Sequence, residues 1–306
     1  MATMRAEAVL RTVPEPRAVL ELLKPITWFP PMWAFTCGVV SSGQPVAERW
    51  TVLALGILLA GPMVCATSQA VNDWYDRHVD AINEPGRPIP SGRMPGRWGL
   101  YIAILWTGLS LLVATTLGPW GFGAAVVALV LAWAYSAPPL RLKANGWWGN
   151  SAVAICYEGV PWFTAAAIMA AAFPDPRIVA VAFLYSAGAH GIMTLNDFKS
   201  VAGDRRMGVG SLPARLGEER AARLACWVMG VPQVVVVGLL VAWGLHAHAL
   251  GVAALLLAQL VLMARLLRDP KALAPWYNGT GIVLYVSGMM VSAFGLRTLF
   301  QAAGAA

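Results

Sequence analysis

Residues 51–80 read TVLALGILLAGPMVCATSQAVNDWYDRHVD. As far as Val71 the stretch carries no charge, and its length matches the roughly 20 apolar residues that a helix needs to cross the hydrocarbon of a bilayer. Its character then changes within one turn, to Asn72, Asp73, Trp74, Tyr75, Asp76, Arg77, His78, Val79 and Asp80. The segment therefore predicts a membrane helix that delivers a group of carboxylates to one face of the bilayer.

The rest of the chain repeats the first half of that pattern. Of its 306 residues 58% are apolar and only 12% charged, and the mean hydropathy is +0.63, values that exclude an ordinary soluble domain. Apolar windows predict an all-α, polytopic bundle of about nine transmembrane helices at 25–42, 51–71, 99–117, 120–137, 149–172, 177–196, 222–243, 247–266 and 276–297. A segment at 1–24 precedes them, and 25–300 forms one transmembrane domain with no room for a separate soluble one. The first 24 residues mix acidic and basic side chains without a long apolar run, so no cleavable secretory signal is expected there.

With the N-terminus in the cytoplasm, only Arg49, Arg177 and Arg297 of the 22 basic residues fall on the far side. That asymmetry is the positive-inside pattern, and one span more or fewer would scramble it. The net charge of +7 then reflects topology and attraction to anionic lipid, which argues against a nucleic-acid partner. Cys37, Cys65, Cys156 and Cys226 lie far apart in apolar surroundings, without the spacing of a zinc or redox site.

Two connections on the cytoplasmic side, 72–98 and 197–221, are long and rich in Asp, Asn, Gly and Pro, which in a compact bundle points to function. In the first, four acids (Asp73, Asp76, Asp80 and Glu84) fall within twelve residues, in a chain with 15 acids in all. If the second span continues as a helix, Asp73, Asp76 and Asp80 stand at i, i+3 and i+7, and Asn72 joins Asp76 at i, i+4, all on one face. Carboxylates stacked in this way repel one another unless a cation lies among them. Mg2+ suits hard oxygen ligands and commonly bridges carboxylates to substrate phosphates. The plainer alternative is a solvated helix end with ordinary surface acids.

The second connection repeats the first in register: Asn196, Asp197, Phe198, Lys199, Ser200, Val201, Ala202, Gly203, Asp204, with Ser200 where the first copy has Asp76. Two such clusters on one face can bracket a diphosphate with one metal ion each. Arg77, Arg87, Lys199, Arg205 and Arg206 follow or interleave the acids and are candidates for phosphate neutralisation, besides their role in topology. A third segment, YSAPPLRLK at 135–143, ends the fourth span. It offers Arg141 and Lys143 as diphosphate ligands and Tyr135 as an aromatic wall for positive charge developing on an allylic carbon.

The paired Asn-Asp motifs, the Tyr-Ser-x-x-Pro segment and the span pattern resemble the UbiA superfamily of intramembrane prenyltransferases, from Leu22 onward. The stretches LKPITWFPPMWAF (23–35), NDWYDRHVDAINEPGRPIPSGRMP (72–95), YSAPPLRLKANGWWGN (135–150) and NDFKSVAGDRRMGVGSLP (196–213) are similar to its chlorophyll and bacteriochlorophyll synthase branch. The resemblance implies transfer of a geranylgeranyl or phytyl group from its diphosphate to the propionate of a (bacterio)chlorophyllide. It implies Mg2+ held by Asn72, Asp73, Asp76, Asp197 and Asp204. It also implies a catalytic set of Asn72, Asp76, Asp80, Asp197, Asp204, Lys143 and Tyr135, and a diphosphate set of Arg77, Arg87, Arg141, Lys143, Lys199 and Arg205. The superfamily pattern has Asp where this chain has Ser200, which leaves the second site to Asp197 and Asp204. The implied location is a bacterial cytoplasmic membrane.

His190, one helical turn before Thr194, has two readings, a hydrogen-bonded structural histidine or a contact to the pigment's central Mg. Glu158, inside the fifth span, is either functional or a protonated, hydrogen-bonded structural acid. The rival functions are a superfamily member that alkylates an aromatic quinone or haem precursor, and a non-catalytic pigment-binding or transport protein. A carrier site belongs near the bilayer midplane, which disfavours the last.

Overall fold

The computed structural model describes residues 12–304; Arg5 and Arg11, counted above on the cytoplasmic side, lie outside them. A short helix α1 (Pro16–Leu23) leads into α2 (Phe29–Ser41). There follow α3 (Ala47–Asn83), α4 (Trp98–Thr115), α5 (Gly118–Ser136) and α6 (Gly146–Ala170). After α7 (Pro176–Asn196) come two short helices, α8 (Val201–Met207) and α9 (Leu212–Leu216). Three long ones close the chain, α10 (Glu218–Ala242), α11 (His246–Leu266) and α12 (Pro270–Gly304).

Eight of these helices are long and apolar enough to cross a membrane among the described residues, which makes the chain an integral membrane protein. The first expected span, 25–42, differs: it is a 3-10 turn at Pro25–Thr27 followed by the 13-residue α2. Pro25, Pro30 and Pro31 lack the N–H that an earlier helical start would use, so the continuous helix begins late. The connection expected at 72–98 is also shorter than anticipated. No Gly or Pro interrupts the chain from Met63 to Glu84, and α3 runs on to Asn83, ending where Pro85 disfavours helical geometry in the residue before it. The second connection folds into α8 and α9.

Two of the long helices widen to π geometry, α3 at Leu59–Cys65 and α6 at Ile155–Gly159. Pro62 lies inside the first and Pro161 just after the second. A proline removes an i→i−4 donor and crowds the preceding turn, and a widened turn relieves both. The Ser186 hydroxyl supplies a donor to the Ala154 carbonyl at 3.1 Å, beside the second π segment.

Among the described residues the buried apolar side chains form four clusters, two of them larger than the rest. A large core joins α2, α6, α7, α10, α11 and α12 around Trp162, Tyr185 and Tyr285. A smaller one joins α1, α3 and α4 through Leu22, Val71 and Ile102. The Trp162 indole and the Tyr285 hydroxyl are partnered, as a dry interior favours, whereas the buried Tyr277 hydroxyl has no hydrogen-bond partner among the described residues. Trp162 donates to Ser41 Oγ (3.0 Å), and Tyr285 to the Tyr185 carbonyl (2.5 Å). Large apolar side chains such as Leu112, Val130, Trp227, Leu250 and Val261 stay exposed, as helices solvated by lipid should leave them. The four cysteines are free, as expected.

Close approach of α2 to α6 depends on Gly38, where a Cβ would stand 2.2 Å from the Trp162 carbonyl oxygen. Small residues at such crossings substitute for the hydrophobic driving force that lipid removes. Gly38→Val is expected to cost about 3 kcal/mol, read as a lowered unfolding midpoint in detergent; a midpoint equal to wild type would contradict the packing described here.

Candidate active site

At 100° per residue, positions 73 and 80 of α3 fall almost in line, whereas position 76 is turned roughly 60° away from 73. The three acids thus share one face, within an arc of about 60°, as expected, and differ in the partners that their side chains reach. Asp73 and Asp80 point together at Arg87, whose Nη1 lies 3.3 Å from Asp73 and 2.9 Å from Asp80, while its Nε sits 2.6 Å from Glu84. Lys24, in left-handed conformation after α1 (φ 48°), adds a second cation to Asp73 at 2.6 Å. Burial by itself lowers the Arg87 pKa, and the hydrogen bond to Glu84 with the charges of Asp73 and Asp80 more than reverses this, so its guanidinium is held above its ordinary range.

Asp76, on the flank of the same face, reaches toward the segment after α5. Its Oδ1 is 2.6 Å from Lys143 Nζ and 3.9 Å from Arg141, and its Oδ2 accepts from Asn72 Nδ2 at 3.1 Å. The same amide reaches Ser136 Oγ at 3.3 Å. Burial pushes the Lys143 ammonium below its usual pKa even though Asp76 opposes the shift; an ammonium so placed gains from any further negative charge.

The second motif is built differently. Asp197 begins a 3-10 turn at the end of α7, and its Oδ2 accepts from Asn150 Nδ2 (3.1 Å), an amide also 3.3 Å from Thr194 Oγ1. Asp204 Oδ2 accepts from two hydroxyls, Ser200 at 3.0 Å and Ser211 at 2.6 Å. Asn196, the counterpart of Asn72, turns instead to α12, where Asn278 donates to it at 2.7 Å. Among the described residues no ion pair reaches Asp197 or Asp204, whereas every acid of the first motif has a cation.

The two motifs meet over one end of the bundle. Asn83 lies close enough to Gly203 that a Cβ there would be 3.2 Å from its amide. Tyr135, half-buried between them, is within electrostatic range of Asp76, Asp197 and Asp204 alike. A single β-bridge, with Gly146 N–H donating to Gly210 O (2.9 Å) and Gly210 N–H to Ala144 O (3.0 Å), ties the segment bearing Arg141 and Lys143 to the loop after the second motif. A Cβ on Gly146 would come within 2.6 Å of Leu212 N, so the bridge needs glycine at that position.

Other expected residues fall outside this arrangement. Arg77 lies over the ring of Trp74 (4.1 Å) and donates to that residue's carbonyl, which spends its guanidinium on its own helix. Lys199 and Arg205 are exposed at the rim. His190 is buried beneath Trp147, ring centroids 5.1 Å apart, with Nε2 unpartnered. Glu158 is buried in the π segment of α6, remote from the two motifs along its helix. Sequence reasoning missed Lys24, Ser136, Asn150, Ser211 and Asn278. Asn150 had a signal, being an amide inside an apolar run; the others are ordinary residues whose roles come only from their neighbours.

Among the described residues no three His, Cys, Asp or Glu side chains converge as a ready metal nest. The donor chemistry nevertheless fits a hard divalent cation. Asp197 and Asp204 are carboxylates held only by neutral donors, Asp76 and Asn72 offer further oxygens, and neither sulfur nor imidazole intrudes.

Residues 28–295 match the UbiA prenyltransferase family. The chain is 63% identical over 289 residues to the bacteriochlorophyll synthase 33 kDa chain of Cereibacter sphaeroides, covering 94% of this chain and 96% of that one. It is 57% identical to the protein of the same description from Rhodobacter capsulatus, with 94% and 95% covered. Its fold matches a UbiA homologue from Archaeoglobus fulgidus, solved with DMAPP and Mg2+, at TM-score 0.63 and 20% identity over 94% of this chain and all of that one (100%). With the family match spanning residues 28–295 and relatives above half identity covering 94% of the chain, the chain belongs to the UbiA prenyltransferase family.

Proposed function

We propose that this protein is a Mg2+-dependent bacteriochlorophyllide prenyltransferase, which joins a geranylgeranyl or phytyl group to the pigment's propionate and releases diphosphate. The identity to bacteriochlorophyll synthase chains over nearly full length carries the acceptor assignment. Two acidic motifs meeting beside Lys143 and Tyr135 support the reaction class. An integral membrane setting suits both substrates, whose long apolar parts dissolve in lipid. By the distribution of basic residues the site and the N-terminus face the cytoplasm, in the cytoplasmic membrane of a bacterium.

Asp197 and Asp204, with Asp76 and Asn72, would hold Mg2+, which would supply positive charge to bind the diphosphate and stabilise it as a leaving group. The chain's own cations add to this. Lys143, already depressed in pKa by burial, and Arg141, both beside Asp76, would neutralise the charge that the phosphate oxygens acquire as the allylic C–O bond breaks. The ring of Tyr135, near Asp76, Asp197 and Asp204, would steady the allylic carbon as it turns positive. A propionate oxygen then forms the new C–O bond; the carboxylate is already ionised near neutral pH, so no general base is needed. Lipid and bundle walls exclude the water that would otherwise capture the carbon.

Purified protein in lipid, given bacteriochlorophyllide and geranylgeranyl diphosphate, is expected to form the ester with Mg2+ and none after chelation. Prenylation of an aromatic quinone precursor in place of the pigment would replace the acceptor assignment. Stoichiometric pigment binding without turnover would replace the enzymatic reading altogether.

A further inference from the structure

The two acidic motifs are alike in sequence but opposite in electrostatics. Asp73, Asp76, Asp80 and Glu84 are met by Lys24, Lys143 and Arg87 at 2.6–2.9 Å. Asp197 and Asp204 meet only an amide and two hydroxyls. A neutral donor orients a carboxylate without cancelling its charge, and each donor here engages Oδ2 alone, leaving Oδ1 of both acids without a hydrogen bond among the described residues.

The substitution of Ser200 for the first motif's aspartate has a structural logic. Ser200 Oγ donates to Asp204 four residues on, the spacing at which Asn72 donates to Asp76. Ser200 thus does for Asp204 what Asn72 does for Asp76, one turn later in the motif, where a carboxylate would only add repulsion. From these contacts we infer that the motifs are unequal cation seats. Asp197 and Asp204, set by the positioning residues Asn150, Ser200 and Ser211, accept a divalent cation without diphosphate. Asp76 stays masked by Lys143 until a diphosphate draws that ammonium away.

This inference rests on the metal-and-diphosphate reading above. An ion approaching Asp76 must displace a partly buried ion pair, whereas one approaching Asp197 and Asp204 displaces no cation at ion-pair distance among the described residues and relieves the repulsion between the two carboxylates. A diphosphate offers Lys143 several anionic oxygens in exchange for one carboxylate, and that frees Asp76 for a second ion.

Counting protein-bound Mn2+ on nanodisc-embedded protein, eluted through columns equilibrated with the ion, tests it directly. Without diphosphate we expect about one ion per chain. Its affinity should be unchanged in Asp76→Asn and weakened about 10-fold or more in Asn150→Leu and Ser211→Ala, as for other residues that orient metal ligands, with Ser211→Thr restoring it. Adding geranylgeranyl diphosphate without acceptor should bring in a second ion in wild type but not in Asp76→Asn. Lys143→Met should bind two without any diphosphate.

Two ions on the wild-type protein before diphosphate is added, loss of the first ion in Asp76→Asn, or wild-type affinity in folded Asn150→Leu and Ser211→Ala would each overturn the inference and leave metal dependence standing. No bound Mn2+ under either condition would overturn the metal-dependent reading along with it. Tryptophan fluorescence melts identify which variants remain folded.

Discussion

Asp76→Ala is expected to lower the single-turnover rate of ester formation by about 10³-fold or more, the size of effect seen when a charge-stabilising group is removed from a dry site. Three observations converge on this residue. It is the acid of the first motif that faces Tyr135 and Lys143, it is oriented by Asn72, and Arg87 does not claim it, as it claims Asp73 and Asp80. Loss of the carboxylate therefore removes an oxygen at the reacting end of the site and also leaves Lys143 without its partner. The second effect has its own cost in stability, about 1–3 kcal/mol for a partly buried group left unmatched, so the rate has to be measured on protein shown by thermal melting to be folded. Asp76→Asn keeps the shape and the contact to Asn72, and separates charge from packing. A folded Asp76→Ala protein turning over within tenfold of wild type would remove Asp76 from the catalytic set.

Arg87→Met should act chiefly on stability, at about 3 kcal/mol, toward the lower end of what is lost when one member of a buried ion pair is deleted. Asp73 is 2% exposed and Asp80 6%, so neither can turn to water when the guanidinium goes. Lys24 still holds Asp73, but Asp80 is left with no cation within ion-pair distance among the described residues. Arg87→Lys should recover only part of the loss, because one ammonium cannot present donors to Asp73, Asp80 and Glu84 at once as the planar fork does. The check is the unfolding midpoint of the three proteins in the same detergent or lipid. Equal midpoints for wild type and Arg87→Met would mean that the cluster is not the structural lock its geometry indicates, and would return Arg87 to the diphosphate-binding candidates.

This second case also shows why residue type and spacing do not settle which acid meets which cation. Asp73, Asp76 and Asp80 are identical side chains within eight positions of one helix, and their spacing is compatible with a shared face. Which way each one points depends on Lys24, 49 residues from Asp73, on Arg87, 14 from Asp73 and 7 from Asp80, and on Lys143, 67 from Asp76. A lysine at the end of α1 and an arginine beyond Pro85 look in sequence like positive-inside residues, and they are that as well. Arg77 misled in the opposite sense: adjacent to Asp76 in sequence, it folds back over Trp74 because its own helix offers an aromatic face and a carbonyl within reach.

The sequence by itself determined the membrane solvent, the helical class, the positions of the long spans and the two acidic motifs. Each of these follows from local composition: lipid admits only segments that satisfy their own backbone, and a carboxylate group in a chain so poor in charge stands out without any fold. The shortness of α2 and the run of α3 to Asn83 also trace to local signals, proline present at one and absent from the other until residue 85. Only the tertiary structure decided that Asn150, Ser200 and Ser211 hold the second motif, that Asn278 takes Asn196 away from it, and that Lys143 rather than Arg77 faces Asp76. Those assignments depend on angles and distances between helices, and a neutral donor or a lone lysine acquires its meaning only from the group that packing sets in front of it.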